Sequence, residues 1–209
     1  PNISSKDYKY ILNHSESIYC FVSDQELYEK VVSVKKEVKG LKEIYCFDEI
    51  ENCKNWSELY ELGKEEWNEK KLNKTKAIVE ASDLATIIYT SGTTGTPKGV
   101  MLSHNNIVSN VISATKKFPF EDRNQTALSF LPMCHIFERT FIYGYLYNCI
   151  EIYYAESLET IAENLREIKP NFMTAVPRLL EKVYDKIYAK GNDLKGIKNY
   201  CFFGLWMLV

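Results

Sequence analysis

Leu84-Ala85-Thr86-Ile87-Ile88-Tyr89-Thr90-Ser91-Gly92-Thr93-Thr94-Gly95-Thr96-Pro97-Lys98-Gly99-Val100 is the stretch on which the fold of this chain turns. Leu84 to Tyr89 reads as an apolar, buried strand, and it runs straight into a loop, 89–100, dense in Gly, Ser and Thr. The glycines let the backbone approach a ligand closely and turn its N–H groups inward. The hydroxyls of Thr90, Ser91, Thr93, Thr94 and Thr96 and the ammonium of Lys98 add donors suited to phosphate oxygens. That donor set asks for a polyphosphate. A Walker A loop needs Gly-Lys followed by Ser or Thr, whereas Lys98 follows Pro97 and precedes Gly99, which disfavours a P-loop NTPase. No G-x-G-x-x-G fingerprint is present either. A flexible surface turn of the same composition is the plain alternative; the adjoining strand and the lone lysine beside Pro97 weigh against it.

Outward from the loop, short β-rich runs alternate with helical periodicity, the signature of an α/β fold with largely parallel sheets and helices on both faces. Upstream, Ser4 and Ser5 are placed to cap a helix carrying Tyr8, Ile11 and Leu12, ahead of a strand at Ile18–Val22. Ser23 with Glu26 reads as a capping box for a helix striped by Leu27, Val31 and Val32, and Leu41–Phe47 is the next strand. The charged stretch Asp48–Lys76 reads as surface with one helix at Ser57–Trp67. Downstream, a short Val100–Leu102 strand leads to Ser103, which caps a helix with Ile107, Val108, Val111 and Ile112 on one face. Strands follow at Ala127–Leu131, Ile150–Tyr154 and Phe172–Val176. Between and after them lie a helix past Pro132 with Ile136, Phe137, Thr140 and Phe141 inward, a helix capped by Ser157, and a helix starting at Pro177. The tyrosines 143, 145, 147, 153 and 154 read as core and sheet residues. A β-α-β-α-β succession opens its crevice at the strand carboxyl ends.

Composition narrows the function. The 209 residues are 45% hydrophobic and 26% charged, and 26 basic against 28 acidic side chains leave a net charge of -2. Neither half carries the basic excess that binding a nucleic-acid backbone needs. The six cysteines form no C-x-x-C pair and are read as free thiols in a reducing compartment. The apolar Cys201–Val209 run is too short to span a bilayer. A kinase is disfavoured by the absence of Asp-Phe-Gly and catalytic-loop patterns.

At the 89–100 loop the sequence closely resembles the adenylate-forming enzymes, which include acyl-CoA synthetases, luciferases and peptide-synthetase adenylation domains. Leu131-Pro132-Met133-Cys134-His135-Ile136-Phe137-Glu138-Arg139 and Thr174-Ala175-Val176-Pro177-Arg178-Leu179-Leu180-Glu181-Lys182-Val183-Tyr184 are similar to the long-chain fatty acyl-CoA synthetase branch. Weaker resemblance runs from Asp7 to about Phe203. Cys134 departs from the small alanine usual in that branch and is expected to pack without consequence. The resemblance implies the large N-terminal domain of such an enzyme, with ATP, a long-chain fatty acid and coenzyme A as substrates and Mg²⁺ as cofactor. It implies that Ser91, Gly92, Thr93, Thr94 and Gly95 cradle the β- and γ-phosphates with Thr96 beside them, that Lys98 supplies the loop's charge, and that Thr90 contacts Mg²⁺. His135, just past a strand end, then lies against the acyl carboxylate and the α-phosphate as a substrate-orienting residue; a lone histidine is otherwise more often structural. Lys98 and His135 are the candidate catalytic residues. Arg178 reads either as a substrate contact or as a helix-start arginine paired with Glu181 or Asp185. His14 and His104 read as a surface and a helix-start residue.

The same resemblance implies segments not found in these 209 residues: an adenine-stacking Tyr-Gly-x-Thr-Glu, a ribose-binding aspartate, a hinge and a C-terminal domain with a catalytic lysine. The expectation is a partial AMP-binding domain spanning 1–209, both ends of the family's pattern missing, inactive alone. The competing expectation is a short nucleotide- or acyl-binding module without ligase activity. No nucleic-acid or protein partner is expected. The expected location is cytoplasmic, with a peripheral membrane contact of the parent left open.

Overall fold

The computed structural model describes residues 3–90, 95–118, 120 and 124–193, and the chain divides into two compact units, Pro1–Ser109 and Asn110–Val209. The architecture is mixed α/β.

The first unit opens with α1 (Ser5–His14), whose start is a capping box. Ser4 Oγ accepts from the Asp7 amide, while the Asp7 carboxylate accepts from the Ser4 hydroxyl and from the Ser4 amide; the bond from the hydroxyl, with that from the amide, holds the Asp7 carboxyl below its ordinary range. β1 (Tyr19–Val22), α2 (Gln25–Lys35), β2 (Glu43–Cys46) and β3 (Lys54–Asn55) follow, with the strands in parallel order β1-β2-β3. The cap of α2 is Asp24, not Ser23: the carboxylate accepts from the Leu27 amide at 3.0 Å, and Ser23 Oγ donates to that carboxylate at 2.6 Å. An ionised carboxylate is the stronger acceptor, which displaces the serine from the role its spacing with Glu26 suggested. Leu12, Val22, Val31, Val34, Val38, Leu41, Ile44 and Cys46 form the core of this unit. The alternate strand positions put Tyr19, Phe21, Tyr45 and Phe47 on the other face, where their rings contact one another in a row that ends on Trp56.

α3 (Ser57–Glu65) is shorter than the expected Ser57–Trp67 helix, and a further helix that the sequence reading missed, α4 (Glu69–Ala77), follows it. Neither buries a residue. Asn68 explains the break, since its side chain accepts from the Lys71 amide and starts a new helix. β4 (Leu84–Thr90) and β5 (Lys98–Ser103) then pair antiparallel as a hairpin, the antiparallel element beside otherwise parallel pairing. β4 is half-buried at best and Leu84 is half exposed, so the expected buried strand is corrected: this is a two-stranded ribbon. α5 (His104–Thr115) is capped as expected, Ser103 Oγ accepting from the Asn106 amide and Asn106 Oδ1 accepting from the Ser103 amide.

In the second unit β6 (Thr126–Ser129) is followed by α6 (Ile136–Tyr147), β7 (Glu151–Tyr154), α7 (Ile161–Ile168), β8 (Phe172–Met173) and α8 (Pro177–Asp193). The sheet is parallel with order β7-β6-β8. Ala127, Leu128 and Ser129 of the central strand are all buried, as a strand flanked on both edges demands. The inward face of α6 is not the expected Ile136/Phe137/Thr140/Phe141. Ile136 and Phe137 are exposed, and Glu138, Ile142 and Tyr145 are buried instead, because the helix is rotated to bring Glu138 onto the strand ends. Phe141 still packs at the edge of the Ala127/Ile142/Tyr145/Ile150 cluster. Of the tyrosines expected inside, only Tyr145 is buried; 143 and 147 of α6 and 153 and 154 of the edge strand β7 are exposed. α7 takes Thr160 as its N-cap position, with Ser157 bonded to it rather than capping directly.

Burial, reinforced by the negative charge of Glu138, pushes the Tyr145 phenol from 10.0 up to about 12. The folded state therefore holds this proton where the unfolded chain has lost it, so the associated stability is complete below pH 10.0 and disappears as pH rises toward about 12. Denaturant titrations of wild type and Tyr145→Phe at increasing alkaline pH check this. The wild type is expected to lose more stability than the variant across that window, and parallel curves would contradict the assignment.

Candidate functional site

The hairpin register sets the geometry at the two ends of the loop. Thr90 at the end of β4 pairs with Lys98 at the start of β5, and Tyr89 pairs with Gly99. Residues directly opposite in an antiparallel pair share a face, with Cβ atoms about 5 Å apart. The Thr90 hydroxyl and the Lys98 ammonium thus stand side by side at the mouth of the loop, both exposed, and neither has a side-chain partner among the described residues. Gly95 sits at φ 81°, a left-handed conformation that favours glycine, and nothing lies within 4 Å of where its Cβ would be. Thr96 is exposed as well. Ser91, Gly92, Thr93 and Thr94 lie outside the described residues.

The other face of the hairpin anchors it. A Cβ on Gly99 would come within 2.8 Å of Ile87 Cγ2 and 3.3 Å of the Tyr89 ring, so glycine here leaves room for the cross-strand tyrosine. Tyr89 Oη and His14 Nδ1 are joined by a 2.7 Å hydrogen bond, and the His14 ring stacks on Tyr10. His14 is exposed as expected but not idle: it ties the hairpin to α1.

In the second unit the chain passes from β6 to β7 on one side and then crosses to β8 on the other. The strand order therefore reverses beside β6, and parallel α/β sheets form ligand crevices at strand carboxyl ends where such a reversal occurs. His135 stands there as the N-cap residue of α6, exposed, with its imidazole making no capping bond. Its backbone is held on both sides: its amide donates to Pro132 O at 3.0 Å, and its carbonyl accepts from the Arg139 amide at 3.1 Å. Arg139 Nε donates to Met133 O at 3.1 Å and braces the same turn. Behind it, the carboxylate of Glu138 accepts from Ser129 Oγ at 2.5 Å and from Thr174 Oγ1. Cys134 is exposed rather than packed, since it lies in the turn before the helix.

Residues 1–207 match the AMP-binding enzyme family. The chain belongs to this family. It is similar to the long-chain-fatty-acid–CoA ligase ACSBG2 of Homo sapiens, 29% identical over 203 residues that make up 93% of this chain and 30% of that protein. It is likewise similar to long chain acyl-CoA synthetase 4 of Arabidopsis thaliana, 31% identical over 205 residues, covering 93% of this chain and 31% of the relative. Among solved structures, a long-chain-fatty-acid-CoA ligase (FadD1) from Archaeoglobus fulgidus superposes with a TM-score of 0.69 at 28% identity, over 90% of this chain and 36% of that one. The luciferase-like enzyme of the mealworm Zophobas morio shares the fold, with a TM-score of 0.65 at 20% identity, over 85% of this chain and 40% of the other. The chain spans about a third of the length of these curated relatives.

Within the AMP-binding domain the expected site residues fall in both units: Thr90, Gly95, Thr96 and Lys98 in the first, His135 in the second. Arg178 is exposed in the first turn of α8, next to Pro177. The sequence reading gave no role to Glu138, Ser129 or Thr174, although all three are buried. An acidic residue three positions past a helix N-cap ordinarily reads as a capping partner, and nothing in the adjacent sequence points elsewhere, since Ser129 and Thr174 fall inside the expected strands Ala127–Leu131 and Phe172–Val176, whereas β6 ends at Ser129 and β8 at Met173. Among the described residues no group of three or more His, Cys, Asp and Glu side chains is arranged to hold a metal, and no helix is long and apolar enough to cross a membrane. The five described cysteines are free thiols.

Proposed function

We propose that the enzyme carrying these residues activates a long-chain fatty acid with ATP and passes the acyl group to coenzyme A, and that residues 1–209 supply the phosphate loop and half of the acyl site of its adenylation domain. The observation that carries this reading is the hairpin mouth, where register sets Thr90 beside Lys98 at the ends of a glycine-bearing loop, in a chain of the AMP-binding family. In the first step a carboxylate oxygen bonds to the α-phosphorus of ATP and pyrophosphate leaves; in the second the coenzyme A thiolate attacks the acyl carbonyl and AMP leaves. Lys98 and the amides and hydroxyls of Ser91, Gly92, Thr93, Thr94, Gly95 and Thr96 stabilise the charge that develops on the phosphates. His135 orients the acyl carboxylate at the strand ends.

Mg²⁺ fits this donor set. It takes few protein ligands and keeps several waters, and the exposed Thr90 hydroxyl, unbonded among the described residues, would hold it together with a carboxylate from elsewhere in the enzyme. Bound there, the ion neutralises phosphate charge. The enzyme works in the cytoplasm or against the membrane surface from which its acyl substrate comes.

The complete open reading frame that encodes these residues tests the reading. Incubated with palmitate, ATP and coenzyme A, its product is expected to form palmitoyl-CoA, AMP and pyrophosphate in equal amounts. Absence of palmitate-dependent pyrophosphate release overturns the activity. Turnover by the isolated 209-residue chain would instead overturn its being only part of the active site.

A further inference from the structure

Three polar side chains with almost no solvent contact meet behind His135. Glu138 is 0% exposed, Ser129 2% and Thr174 4%, and the two hydroxyls donate one to each oxygen of the Glu138 carboxylate. No cation joins them among the described residues. Desolvating a carboxylate against two neutral donors is costly, and a well-packed apolar trio of similar volume would hold the fold at least as firmly. What the polar trio adds is a fixed position, because hydrogen-bond directions allow one arrangement where apolar packing tolerates several. The elements it ties together define the site: Ser129 closes β6, Thr174 follows β8, and Glu138 lies in the first turn of α6, three residues past His135. The His135 amide is already satisfied by Pro132 O, so Glu138 is released from the capping role of its position and turned inward.

We propose that Glu138 is a positioning residue for His135: with Ser129 and Thr174 it clamps the first turn of α6 to the carboxyl ends of β6 and β8, and so fixes where the imidazole meets the acyl carboxylate. This rests on the substrate-orienting role proposed for His135. Glu138 itself touches no substrate. A misplacement on the scale of an ångström at a substrate-orienting group costs about 100-fold in rate, so the clamp has a kinetic signature that simple packing lacks.

A double-mutant cycle in the complete enzyme tests it. Glu138→Ala is expected to lower kcat/KM for the fatty acid about tenfold or more while the KM for ATP stays within about twofold. Glu138→Gln, which keeps one acceptor and gains a donor that either hydroxyl can accept, is expected to restore most of the loss. In a His135→Ala background Glu138→Ala is expected to cost little more, since its effect runs through the imidazole. Costs that multiply in the double variant, or fatty-acid and ATP parameters that fall together, overturn the proposal. If Glu138→Ala does not fold, Thr174→Val and Ser129→Ala, each removing one donor, replace it in the same cycle with the same criteria. An enzyme that forms no acyl-adenylate defeats the functional reading alone. In that event the NMR resonance of the His135 imidazole decides the clamp: it moves in Glu138→Ala and returns in Glu138→Gln if the clamp exists, and stays put if it does not.

Discussion

In the complete enzyme, on the proposed function, Lys98→Ala is expected to slow adenylate formation about 100-fold or more, the cost of deleting one preorganised donor to charge developing in a transition state. The ammonium is exposed at the start of β5 and makes no ion pair among the described residues, so its removal breaks no structural bond. Exposed substitutions of this kind change stability by about 0.5 kcal/mol or less. The activity loss and the folding free energy therefore separate cleanly. ATP–pyrophosphate exchange with palmitate measures the first, and a denaturant melt the second. Exchange at the wild-type rate, with the variant folded, would remove Lys98 from the mechanism. Lys98→Arg keeps the charge but spreads it over a planar fork, so its partial rescue would show that a compact charge beside Thr90 matters, not positive charge alone.

Local rules carried much of the fold. Alternating β-rich runs and helix stripes located nearly every element, because each strand and each cap is written in a few adjacent residues: Ser4 with Asp7, Ser103 with Asn106 and Pro177 at the head of α8 stand where their chemistry predicts. Some errors were local, at the Asp24 cap of α2, the Asn68 break before α4 and the Thr160 start of α7; the others came where a neighbour distant in sequence decided the outcome. Nothing within Leu84–Tyr89 says that it will pair antiparallel with the strand after its own loop and leave Leu84 half exposed; that depends on which strand becomes its partner. The rotation of α6 is similar, since periodicity alone cannot rank Phe137 against Glu138 for burial when hydroxyls at two strand ends are waiting for the carboxylate. His14 read as a bare surface residue because its partner, Tyr89, is remote in the chain.

The candidate site was legible to a different degree in its two parts. The loop was singled out by composition, since a backbone that approaches phosphate closely needs glycine; the structure adds that Gly95, at φ 81°, adopts a conformation that favours glycine, and the phosphate contact itself belongs to the proposed function. His135 did not announce itself from residue type, because one histidine before a helix has several ordinary explanations; the residues around it, read as a family resemblance, singled it out. The clamp behind it was illegible, because burial of Ser129 and Thr174 is a property of the sheet and not of the short segments in which they occur.

Tyr145→Ala is expected to cost about 3–5 kcal/mol of folding stability, the loss typical of deleting a large buried ring. Tyr145 is 2% exposed and sits among Phe120, Phe141 and Phe172, with ring centroids 6.3, 6.2 and 6.5 Å away. Phe172 belongs to β8 and Tyr145 to α6, so this ring is the apolar counterpart of the Glu138 clamp, joining the same helix to the same strand one face further along. Domains of ordinary size hold about 5–15 kcal/mol in total, so the variant falls near or below the margin for folding. Tyr145→Phe is the control. The phenol hydroxyl has no hydrogen-bond partner among the described residues, so at neutral pH the variant keeps every ring contact and is expected to lose less than about 1 kcal/mol. The two substitutions thus predict opposite outcomes at one position. If alanine costs no more than phenylalanine in denaturant melts, the aromatic cluster does not hold α6 to the sheet, and the clamp at Glu138 would have to hold it alone. If alanine costs the full amount, the firmness of the helix comes from the rings and its exact placement from the carboxylate, which is the division of labour that lets a polar trio be retained in an otherwise apolar core.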